Sequence, residues 1–257
     1  MLRRKVGIFS FWEAKAKNYP LPSDPETLKR TKRIIKLVKK LGVEIKDKSI
    51  LDIGCGAGIY ALPLSHEASK TTGLDSSREM IKKFRKAVIS SKAGNVSAIK
   101  SDWEKFNYKK YEKRFDISWA SMTSAVESAA GIKKMEALSR EWCVYIGWAG
   151  KRQNPLFKKI YKRHGLEFKA HDGAFRMLEI LKKLKRGFKH ILIDDSWAWE
   201  GTIPEAARDA SIYVKLNGKK PLYGWIEDFL KSRFRSGKVR HVTKLRKGLV
   251  VWKPTLY

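Results

Sequence analysis

The order of apolar and polar positions predicts an amphipathic helix early in the chain. Its apolar residues recur at helical spacing, at Leu28, Ile34, Ile35, Val38 and Leu41. Ser23 or Asp24 can cap the start of this helix. Pro25 suits its first turn, and Glu26 can complete a capping box. We expect the helix to end at Gly42, because glycine readily adopts the left-handed backbone that terminates helices.

Short apolar runs then alternate with helical patterns. They predict strands at 49–53, 71–74, 96–100, 115–120 and 141–147, with helices at 58–67 and 77–89. Strands that alternate with helices form parallel sheets with right-handed crossovers. The pattern therefore predicts an α/β fold whose sheet is mostly parallel.

The remainder of the chain is less regular. It predicts helices at 154–165, 174–186, 204–216 and 222–234, and strands at 190–199, 239–245 and 249–252. Arg246-Lys247-Gly248 separates the last two strands, so we expect a terminal antiparallel hairpin there. We interpret residues 149–237 as a helical insertion that caps the carboxyl ends of the strands, where open α/β sheets bind ligands. The predicted organisation is an N-terminal arm and helix at 1–45 that covers this site, followed by one domain at 46–257.

Composition narrows the class of protein. The chain has 257 residues, of which 43% are hydrophobic, enough to bury a core. It contains no apolar run of about 18 residues, so we expect no membrane span, and its basic start lacks the long apolar region of a signal peptide. Cys55 and Cys143 are too isolated for a disulfide framework or a metal site. These features favour a cytoplasmic protein.

The formal net charge of +30 is the strongest compositional signal. A field of this size attracts polyanions such as nucleic acids. The first predicted helix carries a basic face made of Lys29, Arg30, Lys32, Arg33, Lys36, Lys39 and Lys40. That face is either simply solvated, which we favour, or able to follow a phosphate backbone. Because the charge is spread along the chain, a generally basic proteome also explains it.

The chemically informative segment is Leu51-Asp52-Ile53-Gly54-Cys55-Gly56-Ala57-Gly58. A buried strand here enters a glycine-rich turn and then a helix. Without Cβ atoms, Gly54 and Gly56 let the backbone approach a ligand closely, and Gly58 permits tight packing. Asp75 ends the second strand, where a carboxylate can accept the hydroxyl groups of a ribose.

These residues resemble the class I S-adenosylmethionine-dependent methyltransferases over about residues 46–145. The family's first motif is matched by Asp52 and the three glycines, and its ribose-binding acid by Asp75. The resemblance implies that Asp102 contacts adenine and that the backbone at Ala120 and Ser121 holds the methionine amino group. It implies a Rossmann-like sheet, with S-adenosylmethionine as cofactor and S-adenosylhomocysteine as product. Neighbouring residues expected to line the cofactor site are Cys55, Ser76, Met80, Ser101 and Trp103.

The segment from Phe11 to Tyr19 resembles a W-x-x-x-A-x-x-Y segment of many small class I enzymes, where it folds over the cofactor. Tyr19 would then face the methionine end of the cofactor. Alternatively, Trp12 and Tyr19 only attach the arm to the core.

Methyl transfer from a sulfonium needs an aligned nucleophile and exclusion of water. It needs a general base only if the nucleophile carries a proton of high pKa. His171 is the best candidate for that base, although a lone loop histidine is usually a surface residue. Other candidates on the acceptor side are Asp172, Asp194, Asp195, Trp197 and Trp199.

Three functions remain open from the sequence. An enclosed cap and an aromatic arm favour a small-molecule acceptor. The charge favours an RNA acceptor, although the chain has no recognisable appended RNA-binding domain. A non-catalytic protein with the same fold is the third, and the intact acidic motif residues argue against it. Two absences make some acceptors less favoured. No Asn- or Asp-Pro-Pro-aromatic segment follows the fourth strand, which disfavours methylation of an adenine amino group or a protein amide by that route. No cysteine stands where a pyrimidine-C5 methyltransferase keeps its nucleophile. The sequence does not fix the oligomeric state.

Overall fold

The computed structural model describes residues 11–255, and the predictions for residues 1–10 lie outside that part. Its centre is a seven-stranded sheet in the order β3-β2-β1-β4-β5-β7-β6. The strands are β1 (Ser49–Ile53), β2 (Lys70–Asp75), β3 (Val96–Lys100), β4 (Phe115–Ser121), β5 (Ser139–Gln153), β6 (Phe188–Thr202) and β7 (Lys238–Trp252). The predicted α/β sheet, mostly parallel with antiparallel terminal strands, is confirmed.

Helices cover both faces of this sheet. They are α1 (Pro25–Lys40), α2 (Ala61–Ser65), α3 (Arg78–Ser91), α4 (Ala129–Leu138), α5 (Pro155–Arg163), α6 (Gly173–Lys183), α7 (Ile203–Leu216) and α8 (Tyr223–Arg233). Residues 11–16 are also helical. No helix in the described part of the chain is long and apolar enough to cross a membrane.

The first five strands are parallel, so their carboxyl ends meet at one edge of the sheet. Ile53 of β1 pairs with Leu74 of β2 on one side and with Ala120 of β4 on the other. Asp75 of β2 pairs with Lys100 of β3. The glycine turn after β1 therefore lies between the ends of β2 and β4.

The predicted terminal hairpin is wrong, because β7 continues through Arg246-Lys247-Gly248. Lys247 pairs with Trp148 of β5 on one side and with Ile193 of β6 on the other, so two neighbours hold the segment extended. Gly248 serves packing instead of a turn. A Cβ on it would lie 2.5 Å from the Cβ of Ala174, which allows α6 to approach the sheet closely.

The segment 149–237 is divided by β6, which is a strand of the main sheet. Strands β5, β7 and β6 extend past the point where β4 and β5 stop pairing, at Ser121 and Ile146. Helices α5, α7 and α8 pack on this extension around a separate core that includes Phe157, Ile160 and Val239. The predicted cap is therefore not one continuous insertion: its helices lie in two separate segments, one before β6 and one after it.

The ends of two helices differ from the sequence predictions. Asp24 is the N-cap of α1, but it makes no side-chain cap bond; its Oδ2 accepts the Leu21 N–H at 2.7 Å. The predicted capping box is therefore absent. Helix α4 was not predicted, because Gly131 interrupts a short apolar pattern. Ser128 starts it by accepting the Gly131 N–H at 3.0 Å.

A buried carboxylate joins α4 to the sheet. Glu136 is 1% exposed, and its oxygens accept hydrogen bonds from Arg186 Nε at 2.9 Å and Arg186 Nη2 at 3.0 Å. The indole N–H of Trp252 donates to the same carboxylate at 3.1 Å. The Glu136 carboxylate therefore balances the charge of Arg186 and accepts the hydrogen bond of the buried Trp252 indole.

We expect Glu136→Ala to lower the free energy of unfolding by about 3–5 kcal/mol, because it leaves a buried charge and a buried N–H without partners. Urea unfolding measures this. The matched control is Glu179→Ala on α6, which is exposed and should change stability by less than about 0.5 kcal/mol. Equal losses in both variants would contradict this role.

Candidate functional site

The glycine turn after β1 has a backbone that only glycine adopts easily. The φ angles of Gly54, Gly56 and Gly58 are 71°, 54° and 87°. A Cβ on Gly58 would lie 2.2 Å from the ring of Phe84, and one on Gly54 would lie 2.8 Å from the hydroxyl of Thr123. The turn is therefore fixed both by its conformation and by the side chains packed against it.

Asp75 connects this turn to the end of β2. Its Oδ2 accepts the Gly56 N–H at 2.9 Å, and its Oδ1 accepts the Ser77 N–H at 2.8 Å. Burial raises the pKa of Asp75, and these backbone bonds partly offset that rise. Each oxygen of a carboxylate accepts more than one hydrogen bond, so Asp75 retains capacity toward a ligand.

Asp52 is the most unusual group of the site. It is 1% exposed, and its Oδ2 has no hydrogen-bond partner among the described residues. Burial, followed by the negative charge of Asp75, raises its pKa to about 7, and the Ala61 backbone N–H partly offsets this. A buried carboxylate without a partner is costly. Its geometry suits a ligand that brings a positive charge or a hydrogen-bond donor.

The end of β3 lies beside Asp75, since the Ser101 N–H donates to the Asp75 carbonyl at 3.0 Å. Asp102 follows and is exposed, and its Oδ1 accepts the Glu104 N–H at 2.8 Å. The ring of Trp103 is 7% exposed and belongs to the main core. The structure thus brings Ser101 and Asp102 to the edge, whereas the Trp103 ring packs beneath it.

Three further predicted residues, Met80, Cys55 and Ser76, lie in or beside the turn. Met80 is buried, and its sulfur lies 3.9 Å from the position of a Cβ on Gly56. Cys55 is buried against Gly73, with its sulfur 2.7 Å from a Cβ placed there. Burial raises the pKa of this thiol well above its ordinary value. Ala57 is fully buried, and Ser76 is half-buried.

The end of β4 forms the other wall. Ala120 is fully buried. The buried Ser121 hydroxyl adjoins the Tyr60 hydroxyl but makes no hydrogen bond of ordinary geometry. Met122 follows with a φ of 54°, in the left-handed backbone region. Thr123 comes directly after it. Thr123 is not predictable from the sequence, because a threonine in a loop carries no motif.

The N-terminal arm lies across the turn. Glu13 accepts the Arg78 N–H at the start of α3 at 2.7 Å, and Lys83 Nζ donates to the Tyr19 carbonyl at 2.8 Å. The Tyr19 ring lies 3.5 Å from the position of a Cβ on Gly56 and packs edge-on against Trp12, with centroids 6.1 Å apart. The arm is therefore both attached to the core and placed over the turn.

A second group of side chains lies beyond the end of β5. His171 is partly exposed and partly shielded by its neighbours. Its carbonyl accepts the Gly150 N–H at 2.9 Å, and its ring centroid lies 5.9 Å from that of Trp148. Burial, together with the positive charges of Arg152 and Arg176, lowers the pKa of His171. The imidazole is therefore mostly neutral near pH 7, the form that accepts a proton.

The other candidates for the acceptor side divide into two groups. Trp197 lies near this histidine, with its ring 5.7 Å from Trp148. The remaining residues have other roles: Asp194 pairs with Arg246 and Lys151, Asp195 pairs with Lys247, Trp199 stacks on His241, and Asp172 precedes α6.

Comparison with known proteins gives a consistent result. Residues 50–141 match the family model of a methyltransferase domain, and no curated protein matches the chain. The YcgJ protein of Bacillus subtilis is 13% identical, with a TM-score of 0.53 over 86% of this chain and 97% of that one. A SAM-dependent methyltransferase of Aquifex aeolicus is 17% identical, with a TM-score of 0.51 over 70% and 91%.

The magnesium protoporphyrin IX methyltransferase of Synechocystis, solved with bound SAH, is 15% identical. Its TM-score is 0.51 over 88% of this chain and 82% of that one. At these identities the structures establish the fold. Residues 50–141 are therefore a methyltransferase domain, and the chain has the fold of these S-adenosylmethionine-dependent methyltransferases.

The raised pKa of Asp52 predicts how stability depends on pH. Because its folded-state value of about 7 exceeds the ordinary 3.8, the folded protein holds this proton more tightly than the unfolded chain does. The free energy of unfolding should therefore fall as pH rises from about 4 to about 7. Asp52→Asn should reduce this fall and stabilise the ligand-free protein at pH 8 by a few kcal/mol.

Urea unfolding at several pH values measures both slopes. The control Asp228→Asn changes an exposed aspartate on α8 and should leave the slope unchanged. If Asp52→Asn were less stable than the unaltered protein at pH 8, the carboxylate would be a structural group and not an unsatisfied one.

Proposed function

We propose that this protein transfers the methyl group of S-adenosylmethionine to a small organic acceptor. The observation that carries the cofactor assignment is the buried carboxylate of Asp52, whose Oδ2 has no partner among the described residues, beside a glycine turn. This arrangement sits at the carboxyl edge of a parallel sheet, where α/β folds bind ligands. A buried anion of this kind is explained by a cationic ligand.

The residues at this edge fit the parts of the cofactor. Asp75 would accept the ribose hydroxyls, and Asp102 would contact adenine. Asp52 and the backbone at Ala120 and Ser121 would hold the methionine ammonium group. Cys55, Met80 and Ser101 would supply the surrounding surface. In this assignment Asp102, Asp75 and Asp52 would follow one extended ligand from its adenine, through its ribose, to its ammonium group.

The chemistry requires little from side chains. When bound, the cofactor supplies a methyl group on a sulfonium that its positive charge has already activated. The protein must align the acceptor and exclude water, which are tasks for the arm and the helical segments. His171, held mostly neutral near pH 7, would accept a proton if the acceptor atom carries one of high pKa.

Enclosure of the edge favours a small acceptor. The arm contacts the segment after β6, since Lys15 Nζ lies 2.5 Å from Asp209 Oδ1 on α7 and Phe11 lies 5.4 Å from the ring of Tyr213. The same arm covers the glycine turn through Tyr19. Arm and α7 thus form a continuous cover, and we infer that the arm shifts to admit the cofactor.

An RNA acceptor is the second candidate, supported by the net charge of +30. The basic face of α1 is exposed, but it runs along β6 and away from the edge. Arg30 near the start of α1 donates to the Ser196 carbonyl in the middle of β6, whereas Gly42 after the end of α1 lies near Lys189 at the start of β6. Cations placed along the side of the sheet do not concentrate at the mouth of the site.

Calorimetry with S-adenosylhomocysteine tests the cofactor assignment. We expect Asp75→Ala to weaken binding at least about tenfold, because one hydrogen bond to a charged group contributes about 1.5–3 kcal/mol. The exposed Asp228→Ala on α8 is the matched control and should bind like the unaltered protein. Absence of binding to the unaltered protein would leave only a non-catalytic role.

Transfer from methyl-labelled S-adenosylmethionine into cell extract separates the two acceptor classes. We expect label in the small-molecule fraction, with little dependence on salt. Label in the RNA fraction that falls steeply between 50 and 200 mM salt, roughly as expected when several phosphates are neutralised, would instead establish the RNA acceptor.

A further inference from the structure

Arg152 lies on the part of β5 that extends beyond the parallel sheet. The ladder between β5 and β7 is irregular between Trp148 and Arg152. Its guanidinium carbon lies 4.4 Å from the ring centroid of Phe168, 5.3 Å from that of Trp148 and 5.9 Å from that of Tyr213. Three aromatic rings from three segments of the chain therefore surround one cation.

This cation has no counter-ion among residues 11–255. Its Nε is buried without a hydrogen-bond partner, and no carboxylate of the described residues lies within ion-pair distance of it. Other shielded cations of the protein do have partners. These pairs are Lys15 with Asp209, Lys247 with Asp195, and Arg186 with Glu136.

An uncompensated guanidinium is costly in such a position, because burial disfavours the charged form. Burial lowers the pKa of Arg152, and neighbouring Tyr213 and Tyr161 only partly offset this. Cation–π contacts stabilise a cation but satisfy none of its N–H donors. The buried Nε–H of Arg152 is therefore a donor without an acceptor among the described residues.

We propose that Arg152 binds a carboxylate group of the methyl acceptor, an inference that rests on the proposed function. Its position connects it to that site on two sides. Tyr213 also contacts the arm, with Lys15 Nζ 4.8 Å from its ring, and Trp148 also contacts His171. An acceptor anchored at Arg152 would lie between the arm over the cofactor turn and the candidate base.

A carboxylate fits this position better than a phosphate. A guanidinium presents two parallel N–H groups that match a carboxylate. A phosphate dianion calls for a second free cation, and the neighbouring cations are engaged: Lys15 pairs with Asp209, and Arg176 pairs with Asp172. The aromatic rings also suit an acceptor with an apolar or aromatic body.

Calorimetry on protein saturated with S-adenosylhomocysteine tests this. The probes are benzoate, phenylacetate and indole-3-acetate, each beside its uncharged amide. We expect at least one acid to bind, its amide to bind at least tenfold more weakly, and Arg152→Met to lose the preference for the acid. Arg163→Met is the matched control, since Arg163 lies 5.7 Å from the ring of Trp225 on another part of the surface, and should retain the preference.

A stability measurement separates a ligand-binding arginine from a structural one. Without ligands, Arg152→Met should unfold at the same temperature as the unaltered protein or at a higher one, because an apolar side chain removes the uncompensated charge. S-adenosylhomocysteine affinity should be unchanged within twofold. Binding of that cofactor product without any preference for an acid over its amide, or a lower unfolding temperature for Arg152→Met, would overturn the inference. Failure to bind the cofactor product at all would overturn the proposed function instead.

Discussion

Two buried carboxylates held at one edge of a parallel sheet constrain the rest of this structure. Asp52 is the last residue but one of β1, and Asp75 is the last residue of β2. Burial raises the pKa of both carboxyl groups, and the negative charge of Asp75 adds to the rise at Asp52. The backbone of the glycine turn donates to Asp75, whereas Asp52 Oδ2 has no partner in the described part of the chain. The fold therefore tolerates an unfavourable charge at the place where its parallel strands end.

The sequence predicted what local chemistry determines. The strand boundaries near Asp52 and Asp75 and the glycine positions followed from short-range pattern, and Gly58 indeed packs against Phe84. The sequence did not predict where contacts with residues distant in the chain determine the conformation of a segment. Arg246-Lys247-Gly248 has the composition of a turn, yet strands on both sides keep it extended, and Gly248 is needed for the approach of α6.

The candidate site shows the same division. Motif residues are recognisable because their chemistry depends on neighbours in sequence. Thr123 and Arg152 belong to no motif, and their contacts are with segments distant in the chain. Thr123 packs over Gly54. Arg152 contacts aromatic rings from β5, from α7 and from the segment before α6. The order of residue types along the sequence does not show which distant segments will contact one another.

The two unsatisfied groups have opposite charges and different supports. Asp52 lies in the rigid parallel sheet, whereas Arg152 lies on the extension that carries the helical segments and touches the arm through Tyr213. A cationic ligand at Asp52 would stabilise the carboxyl edge of the sheet. An anionic ligand at Arg152 would stabilise the cover that the arm and α7 form above that edge. Because the arm contacts both regions, through Tyr19 at the turn and Lys15 at α7, ligands at the two groups would favour the same closed arrangement. Closure would then depend on occupancy of both positions, which is the condition that excludes water from a methyl transfer.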